Sequence, residues 1–275
     1  MTQVQVGSEL NYDVRSRTIF LFKIAAAATS HQTITDEKLT FDPALDVEKG
    51  QVGLEGNRLH RVVVEPCHMK VSYTATIDLV ADIEASADVD ECNATEIPPE
   101  VLTYMNPSRY CESDLLARFA YEEFGGMDRG FSRVQAIADW VYNQLEYTPG
   151  STTATTTAAD VLLQRTGVCR DYAHLSIALC RGIGIPARYV SGYAVNLQPP
   201  DYHGFFEAFL DGQWYLFDPT RLALTTGLVR IGVGRDAADV AFSTFTGSAT
   251  LQGKSVWANM DQMPAADEQP AVSTA

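Results

Sequence analysis

The sequence lacks a Cys-x-x-Cys motif and has no excess of positively charged residues. Its five cysteines are an odd number without a Cys-x-x-Cys pair, and they are scattered along the chain (Cys67, Cys92, Cys111, Cys169 and Cys180). That pattern argues against a disulfide framework and against a zinc site, so we expect no bound metal. Lysine and arginine total 20 against 35 for aspartate and glutamate, which gives a formal charge of −15. Because so acidic a chain repels phosphate groups, we expect neither nucleic acid nor an anionic membrane surface as a partner.

Long apolar runs are missing as well. The most apolar stretch, 19–28, contains Lys23 and follows a polar, acidic segment, so we expect neither a signal peptide nor a membrane span. Together with the scattered cysteines, this favours a reduced, cytoplasmic setting. The chain is nevertheless 275 residues long and 46% hydrophobic, which is enough to bury a sizeable core.

The first part of the chain has the pattern of β structure. Between residues 69 and 79 apolar and polar side chains alternate, as in a strand with one buried face. Further strands are predicted at 9–14, 18–25, 38–41 and 59–64. We therefore predict an N-terminal antiparallel β-sandwich domain over 1–82, followed by an acidic, proline-containing linker over 83–106.

Helical periodicity dominates the next part, and we predict a second domain over 107–250. Apolar residues recur at helical spacing in 115–124 and again in 134–145. The second of these helices is expected to begin at Ser132 with a capping box completed by Gln135. The remaining residues, 251–275, are predicted to be a C-terminal extension, disordered from Asp261 to Ala275.

The segment 165–193 contains the most informative pattern. Thr166 and Gly167 break the chain, and Cys169 then opens an apolar-periodic helix with one buried face. The free N–H groups and the dipole at a helix N-terminus stabilise a thiolate and so increase its nucleophilicity at neutral pH. We therefore predict that Cys169 is a nucleophile. Cys180, on the apolar face, is expected to be a core residue.

The Asp-Gly dipeptide at 211–212, between two apolar runs, predicts a tight β-hairpin. The resulting register places Asp218 opposite Phe205, and His203 projects from the same face as Phe205, diagonal to Asp218. A carboxylate that accepts a hydrogen bond from an imidazole fixes the tautomer of the ring. With Cys169 upstream, this is the Cys-His-Asp arrangement of thiol acyl transfer.

Four other residues are candidates for the cleft around these three. Tyr147 is a candidate for the second oxyanion donor, beside the backbone N–H of Cys169. Arg170 and Asp171 flank the nucleophile and either contact substrate or pair locally. Glu207 shares the face of His203 and would support the site.

These motifs resemble the transglutaminase-like superfamily. The stretches GVCRDYAHLSIALCRGIGIPARYVSGY and HGFFEAFLDGQWYLFDPTR contain its three ordered elements: G-x-C at a helix start, an H-x-W/F-x-E strand and a strand ending in D-P-T. The resemblance implies an α+β, papain-like core, with the cysteine helix on an antiparallel sheet and a triad of Cys169, His203 and Asp218. The segment 230–242 and the β-rich N-terminus extend the similarity to bacterial transglutaminase-like proteins described as candidate cysteine proteases. Gly204 and Phe205 stand where the family commonly has Ala-Trp.

Three functions remain open at this point. Hydrolysis of peptide or isopeptide amides through an acyl-enzyme is favoured, because the acidic calcium loops of the long animal transglutaminases are absent from the sequence. The alternatives are transfer of the acyl group to a lysine or another amine, and an inactive peptide-binding module. We expect a protein or peptide as the substrate, and no cofactor, because thiol acyl transfer needs none.

Overall fold

The computed structural model describes residues 2–86, 89–260 and 270–275. The fold is α+β, as expected: helices between residues 113 and 182 pack on a four-stranded antiparallel sheet, and a β-sandwich lies beside them. Among the described residues, none of the helices combines the length and the apolar character that crossing a bilayer requires.

Strands fill the N-terminal part of the chain. Their bounds are β1 Thr2–Val14, β2 Thr18–Phe22, β3 Gln32–Asp42, β4 Glu48–Val52, β5 Asn57–Val64, β6 Cys67–Leu79 and β7 Asp82–Glu84. In β6, Met69, Val71 and Tyr73 are buried and the residues between them are more exposed, which confirms the predicted alternation. The sequence did not indicate β4, because four of its five residues are exposed and no apolar alternation marks it.

Helices and two short bridging strands follow. Their bounds are α1 Ser113–Phe124, α2 Phe131–Gln144, β8 Glu146–Tyr147, α3 Ala158–Gln164, β9 Thr166–Gly167 and α4 Cys169–Gly182. The capping box predicted at Ser132 and Gln135 is wrong. The helix begins at Phe131 after Gly130, whose φ of 124° favours glycine, and the Gln135 side chain donates to Asp139 instead of the helix N-terminus.

A second antiparallel sheet supports α4. Its strands are β10 Ala187–Ala194, β11 Tyr202–Leu210, β12 Gln213–Phe217 and β13 Leu228–Gly234, in the order β12-β11-β10-β13. The helices α1, α2 and α3 also pack on α4, so residues 171–181 are all buried. The expectation of a single buried face was therefore too narrow, because α4 is a central helix that is covered by helices and by the sheet.

The C-terminal part of the chain returns to the sandwich. It forms β14 Ser243–Thr246, β15 Ala249–Met260 and β16 Ala271–Ser273. Since β15 pairs with β1 and β14 pairs with β2, the sandwich consists of the sheets β15-β1-β6-β3 and β14-β2-β5-β4. Residues 251–260 of the expected C-terminal extension are thus part of an integral strand of the N-terminal unit.

Two segments expected to be irregular are folded. In the predicted linker, β7 pairs with β16, and Ile97 and Val101 form a small buried cluster with Phe209. The predicted disorder of Asp261–Ala275 is wrong for 270–275, where Ala271 and Val272 are fully buried. Residues 261–269 of that prediction lie outside the described residues.

The sandwich and the second sheet share a continuous interior. Tyr193 of β10 is fully buried in the sandwich core, where its hydroxyl donates to the Ile24 carbonyl at 2.7 Å. Val229 and Ile231 of β13 belong to the same cluster. The sandwich is therefore packed directly against the sheet that carries His203.

Candidate active site

Cys169 is the first residue of α4, and it is half-buried. The preceding residue, Val168, has no side-chain acceptor, so the helix start depends on Asp171 at the third position. The Asp171 carboxylate accepts the Val168 backbone N–H at 2.9 Å and the Thr152 hydroxyl at 2.7 Å. This is the carboxylate half of a capping box, and it holds the backbone on either side of Cys169 in place.

Arg170 and Asp171 pair locally. The Arg170 guanidinium lies 3.4 Å from an Asp171 carboxylate oxygen and donates to the Thr153 carbonyl at 3.0 Å. Of the two readings left open for these residues, the structure contains the local pair. Arg170 also lines the cleft next to Cys169.

Steric crowding explains why the first residue of the G-x-C motif, Gly167, is a glycine. A methyl group at Gly167 would lie 2.8 Å from the Asp171 Cβ, which is closer than real side chains approach. Gly167 therefore lets the segment before α4 fold tightly over its own capping residue.

The short parallel bridge between β8 and β9 brings Tyr147 to the same place. Tyr147 pairs with Gly167 in this bridge, and its ring packs on Tyr172 with centroids 5.8 Å apart. Burial raises the pKa of the Tyr147 hydroxyl, and the charge of Cys169 raises it further; the hydroxyl also interacts with the Cys169 side chain and backbone. The structure thus places this sequence-predicted residue beside Cys169.

The hairpin has the predicted register. Asp211 and Gly212 have φ angles of 44° and 80°, as a type I′ turn requires, and Phe206 pairs with Phe217. The predicted His–Asp contact is confirmed: His203 Nε2 lies 3.0 Å from Asp218 Oδ2.

The D-P-T sequence orients the Asp218 carboxylate. Its Oδ1 accepts the Thr220 hydroxyl at 2.7 Å and the Thr220 backbone N–H at 2.9 Å, and its Oδ2 accepts the Ala223 N–H at 3.0 Å. The sequence reasoning named Asp218 but missed Thr220, although the D-P-T motif was the available signal for it.

His203 is buried, and its two nitrogens have different surroundings. Burial favours the neutral ring, but the charge of Asp218, the hydrogen bond with Asp218 and the contact with Cys169 together raise the pKa of His203 to about 10. In the described part of the chain, Nδ1 has no hydrogen-bond partner. It is thus the nitrogen left for the Cys169 side chain. Phe205 packs edge-to-face on the ring at 4.6 Å.

Cys169 and His203 line one cleft of about 600 Å³. Residues that the sequence reasoning did not select form its walls: Tyr110, Tyr189, Tyr202, Gly204, Phe242 and Lys254. Lys254 comes from β15 of the sandwich and forms an ion pair with Asp201 at the rim. The sequence around Lys254 does not indicate that it lies near Cys169, because only the pairing of β15 with β1 brings it there.

Comparison with known proteins identifies the family. Residues 118–219 match the model of the transglutaminase-like superfamily, and residues 2–100 match that of the bacterial transglutaminase N-terminal domain. A crystal structure of a candidate cysteine protease from Cytophaga hutchinsonii has a TM-score of 0.94 and 38% identity, and the match covers 99% of this chain and 97% of that one. The chain belongs to the transglutaminase-like superfamily.

Relatives of this transglutaminase-like chain occur in mycobacteria. An uncharacterized protein of Mycobacterium leprae is 40% identical over 117 residues, which are 39% of this chain and 42% of that protein. One of Mycobacterium tuberculosis is 37% identical over 119 residues, 38% of each. The chain thus spans about two fifths of the length of these curated relatives. Membership of the superfamily assigns the chain to a group of thiol-dependent enzymes.

Glu207, the glutamate of the H-x-W/F-x-E strand, lies away from the cleft of this transglutaminase-like chain. It is fully buried between Arg188, which donates to it at 2.7 Å, and Arg230. Burial would raise the pKa of Glu207, but the two guanidinium groups lower it to about 2. Both arginines line a different pocket, of about 490 Å³. Glu207 therefore joins strands of the sheet and does not line the site.

Proposed function

We propose that this protein is a cysteine amidase that cleaves peptide or isopeptide bonds through Cys169, His203 and Asp218. One observation carries the proposal: an imidazole held by a carboxylate shares a cleft with a cysteine at a helix N-terminus. A thiolate nucleophile needs a proton donor for its leaving group, and such an imidazole is one. A protein or peptide is the proposed partner.

The proposed reaction has two halves. The Cys169 thiolate attacks the amide carbonyl carbon, a C–S bond forms, and the proton on His203 moves to the leaving nitrogen as the C–N bond breaks. A water molecule then attacks the thioester, giving one proton to His203. A C–O bond forms, the C–S bond breaks, and the carboxylic acid leaves Cys169 as the thiolate. Asp218 stabilises the imidazolium in both halves.

Two donors are proposed for the oxyanion that forms in each half. The first is the Cys169 backbone N–H at the free end of α4. The second is the Tyr147 hydroxyl, because the bridge between β8 and β9 brings Tyr147 next to the start of α4. Both groups are held in place by the bridge between β8 and β9 and by the Asp171 cap.

Acylation by an activated ester tests the proposal. We expect p-nitrophenyl acetate to acetylate Cys169 of the wild type, as located by peptide mass spectrometry, and to turn over as water removes the acetyl group. His203→Ala should lose most of this rate, and Cys169→Ala should lose it entirely. Absence of acetylation at Cys169 in the folded wild type would instead favour an inactive peptide-binding module.

A glutamine peptide offered with a primary amine tests the acceptor. If hydrolysis is the natural reaction, conversion of the glutamine to glutamate should exceed amine incorporation at millimolar amine concentrations, since both reactions release ammonia and only the glutamate product is specific to hydrolysis. Incorporation that exceeds hydrolysis would make the protein a transglutaminase with the same nucleophile.

A further inference from the structure

We infer that the Tyr189 hydroxyl donates a hydrogen bond to an amide carbonyl of the substrate, and that Gly204 provides the space for it. This inference rests on the proposed function, and it names the substrate class more closely. The acyl group would carry a further amide beside the reacting carbonyl, as a peptide does.

The Tyr189 hydroxyl lies in the cleft without a hydrogen-bond partner among the described residues. The side chain lines the cleft with Cys169 and is only 6% exposed. In the part of the chain that the structure describes, no hydrogen bond to its hydroxyl is present. The hydroxyl oxygen is not fully enclosed, so water can reach it through the cleft, and a ligand group could replace that water. A hydroxyl left unpaired at the edge of a cleft is therefore suited to a ligand.

Gly204 is the reason that the hydroxyl reaches this position. A methyl group at Gly204 would overlap the Tyr189 hydroxyl oxygen and lie 3.0 Å from the ring carbon that carries it. Gly204 directly follows His203, so the hydroxyl lies over the backbone next to the catalytic base proposed above. Gly204 and Tyr189 thus form a sterically matched pair in this chain.

The ring of Tyr189 is held rigidly. It packs on the His174 imidazole of α4 at 5.3 Å, and His174 in turn stacks on Tyr110 at 5.1 Å with the rings 10° from parallel. The His174 ring is itself fixed, because its Nε2 accepts the Ala237 backbone N–H at 3.1 Å. A donor on a rigid side chain is positioned without further loss of conformational entropy when substrate binds.

Tyr147 has a different role. The pairing of Tyr147 with Gly167 holds it next to the start of α4, and it is the donor proposed above for the oxyanion of the reacting carbonyl. Tyr189 belongs to the sheet side of the cleft, over Gly204. A hydrogen bond from Tyr189 would thus go to a neighbouring carbonyl, and an ester without a second carbonyl would not report on it.

Two activated esters separate these roles. One is p-nitrophenyl acetate, and the other is the p-nitrophenyl ester of N-acetylglycine, which adds one amide beside the reacting carbonyl. The readout is the ratio of the Cys169 acylation rate constants for the glycine ester and the acetate ester. We expect Tyr189→Phe to lower this ratio about fivefold to tenfold, which corresponds to one hydrogen bond. Gly204→Ala should lower it similarly, and the double variant should lower it no further.

Thermal stability supplies an independent readout. Tyr189→Phe should leave the melting temperature nearly unchanged, because the hydroxyl that it removes makes no hydrogen bond to the described residues and is not fully enclosed. The matched control is Tyr215→Phe, since that buried hydroxyl donates to Glu84 at 3.0 Å and lies outside the cleft. The control should lower the melting temperature and leave the ester ratio as it is.

Each outcome of the ester experiment has a distinct meaning. A ratio that Tyr189→Phe leaves unchanged overturns the role of Tyr189, while acetylation of Cys169 in the same samples keeps the proposed function. A loss of both rates in proportion, together with a lower melting temperature, makes Tyr189 a structural residue and also overturns its role. If neither ester acylates Cys169 of the wild type, the proposed function is overturned and this inference with it.

Discussion

His203 shows how one buried side chain determines the chemistry of the cleft. Burial alone would keep the imidazole neutral, because the charged form loses its hydration. The nearby Asp218 carboxylate outweighs that effect and raises the pKa of His203 to about 10. The imidazole therefore holds a proton at neutral pH, as the proposed transfer to an amine leaving group requires.

The same shift predicts a pH dependence of stability. The unfolded-state pKa of histidine is about 6.5, below the value of about 10 in the folded protein. The stabilisation is thus fully present below about pH 6.5 and is lost as the pH rises towards 10. Urea unfolding at several pH values between 6.5 and 9.5 measures this loss.

Asp218→Asn is the comparison for that experiment, because it removes the charge and keeps the shape of the side chain. We expect the variant to be less stable at pH 6.5 and its stability to fall less steeply with pH than that of the wild type. Parallel pH profiles for the two proteins would contradict the assigned role of Asp218.

The surroundings of Glu207 could not be predicted from the sequence. Strand parity placed it on the face of His203, but parity does not reveal the neighbours that other strands contribute. Arg188 lies opposite Glu207 on β10, and Arg230 comes from β13 after a connection of many residues. The carboxylate is therefore neutralised by residues whose proximity only the folded sheet creates.

The N-terminus of α4 is the element on which the site depends. Asp171→Ala removes the acceptor of the Val168 N–H, and we expect a loss of about 1 kcal/mol of unfolding free energy. Because the same cap positions Cys169, the rate of Cys169 alkylation by iodoacetamide should fall as well. Urea unfolding and peptide mass spectrometry of the alkylated protein measure the two effects.

Asp160→Ala is the matched control, since Asp160 completes the capping box of the neighbouring helix α3. It should cost a similar free energy of unfolding without slowing the alkylation of Cys169. An equal loss of alkylation in the two variants would mean that Asp171 acts only through general stability.

Elements with a strong local signal were predicted well. The Asp-Gly turn fixed the hairpin register, and the register fixed the His203–Asp218 contact. The start of α2 was predicted wrongly because Gly130 and a hydrogen bond from the Phe131 N–H to the Val89 carbonyl determine it. That bond joins segments about forty residues apart, so a local capping pattern at Ser132 could not reveal it.

Two strands from the C-terminal part of the chain, β14 and β15, complete the two sheets of the N-terminal sandwich. The sequence predicted a sandwich and a catalytic sheet, but it did not show that β15 completes one sheet of the sandwich beside β1. Strand alternation predicts that a strand exists and leaves open which strand it pairs with. For the same reason the sandwich residue Lys254 could not be predicted at the rim of the cleft.

The buried strand β16 is expected to contribute to the stability of the protein. Val272→Ala removes two methyl groups from a fully buried position, and each is worth about 0.8 kcal/mol before the cavity is counted. We expect a loss of about 2 kcal/mol of unfolding free energy in urea. Val63→Ala, on the half-exposed side of β5, is the matched control and should cost less than about 0.5 kcal/mol. Equal small losses would indicate that β16 does not pack against the rest of the protein in solution.

The most direct test of the central claim is the pH profile of cysteine alkylation by iodoacetamide, followed for each cysteine by peptide mass spectrometry. Cys67 and Cys92 are internal controls for access, because they are partly buried like Cys169. In the wild type at pH 5–6, we expect Cys169 to react about tenfold or more faster than either control, and His203→Ala should abolish that advantage. Equal rates for the three cysteines, or an advantage that survives in His203→Ala, would contradict a functional pairing of Cys169 with His203.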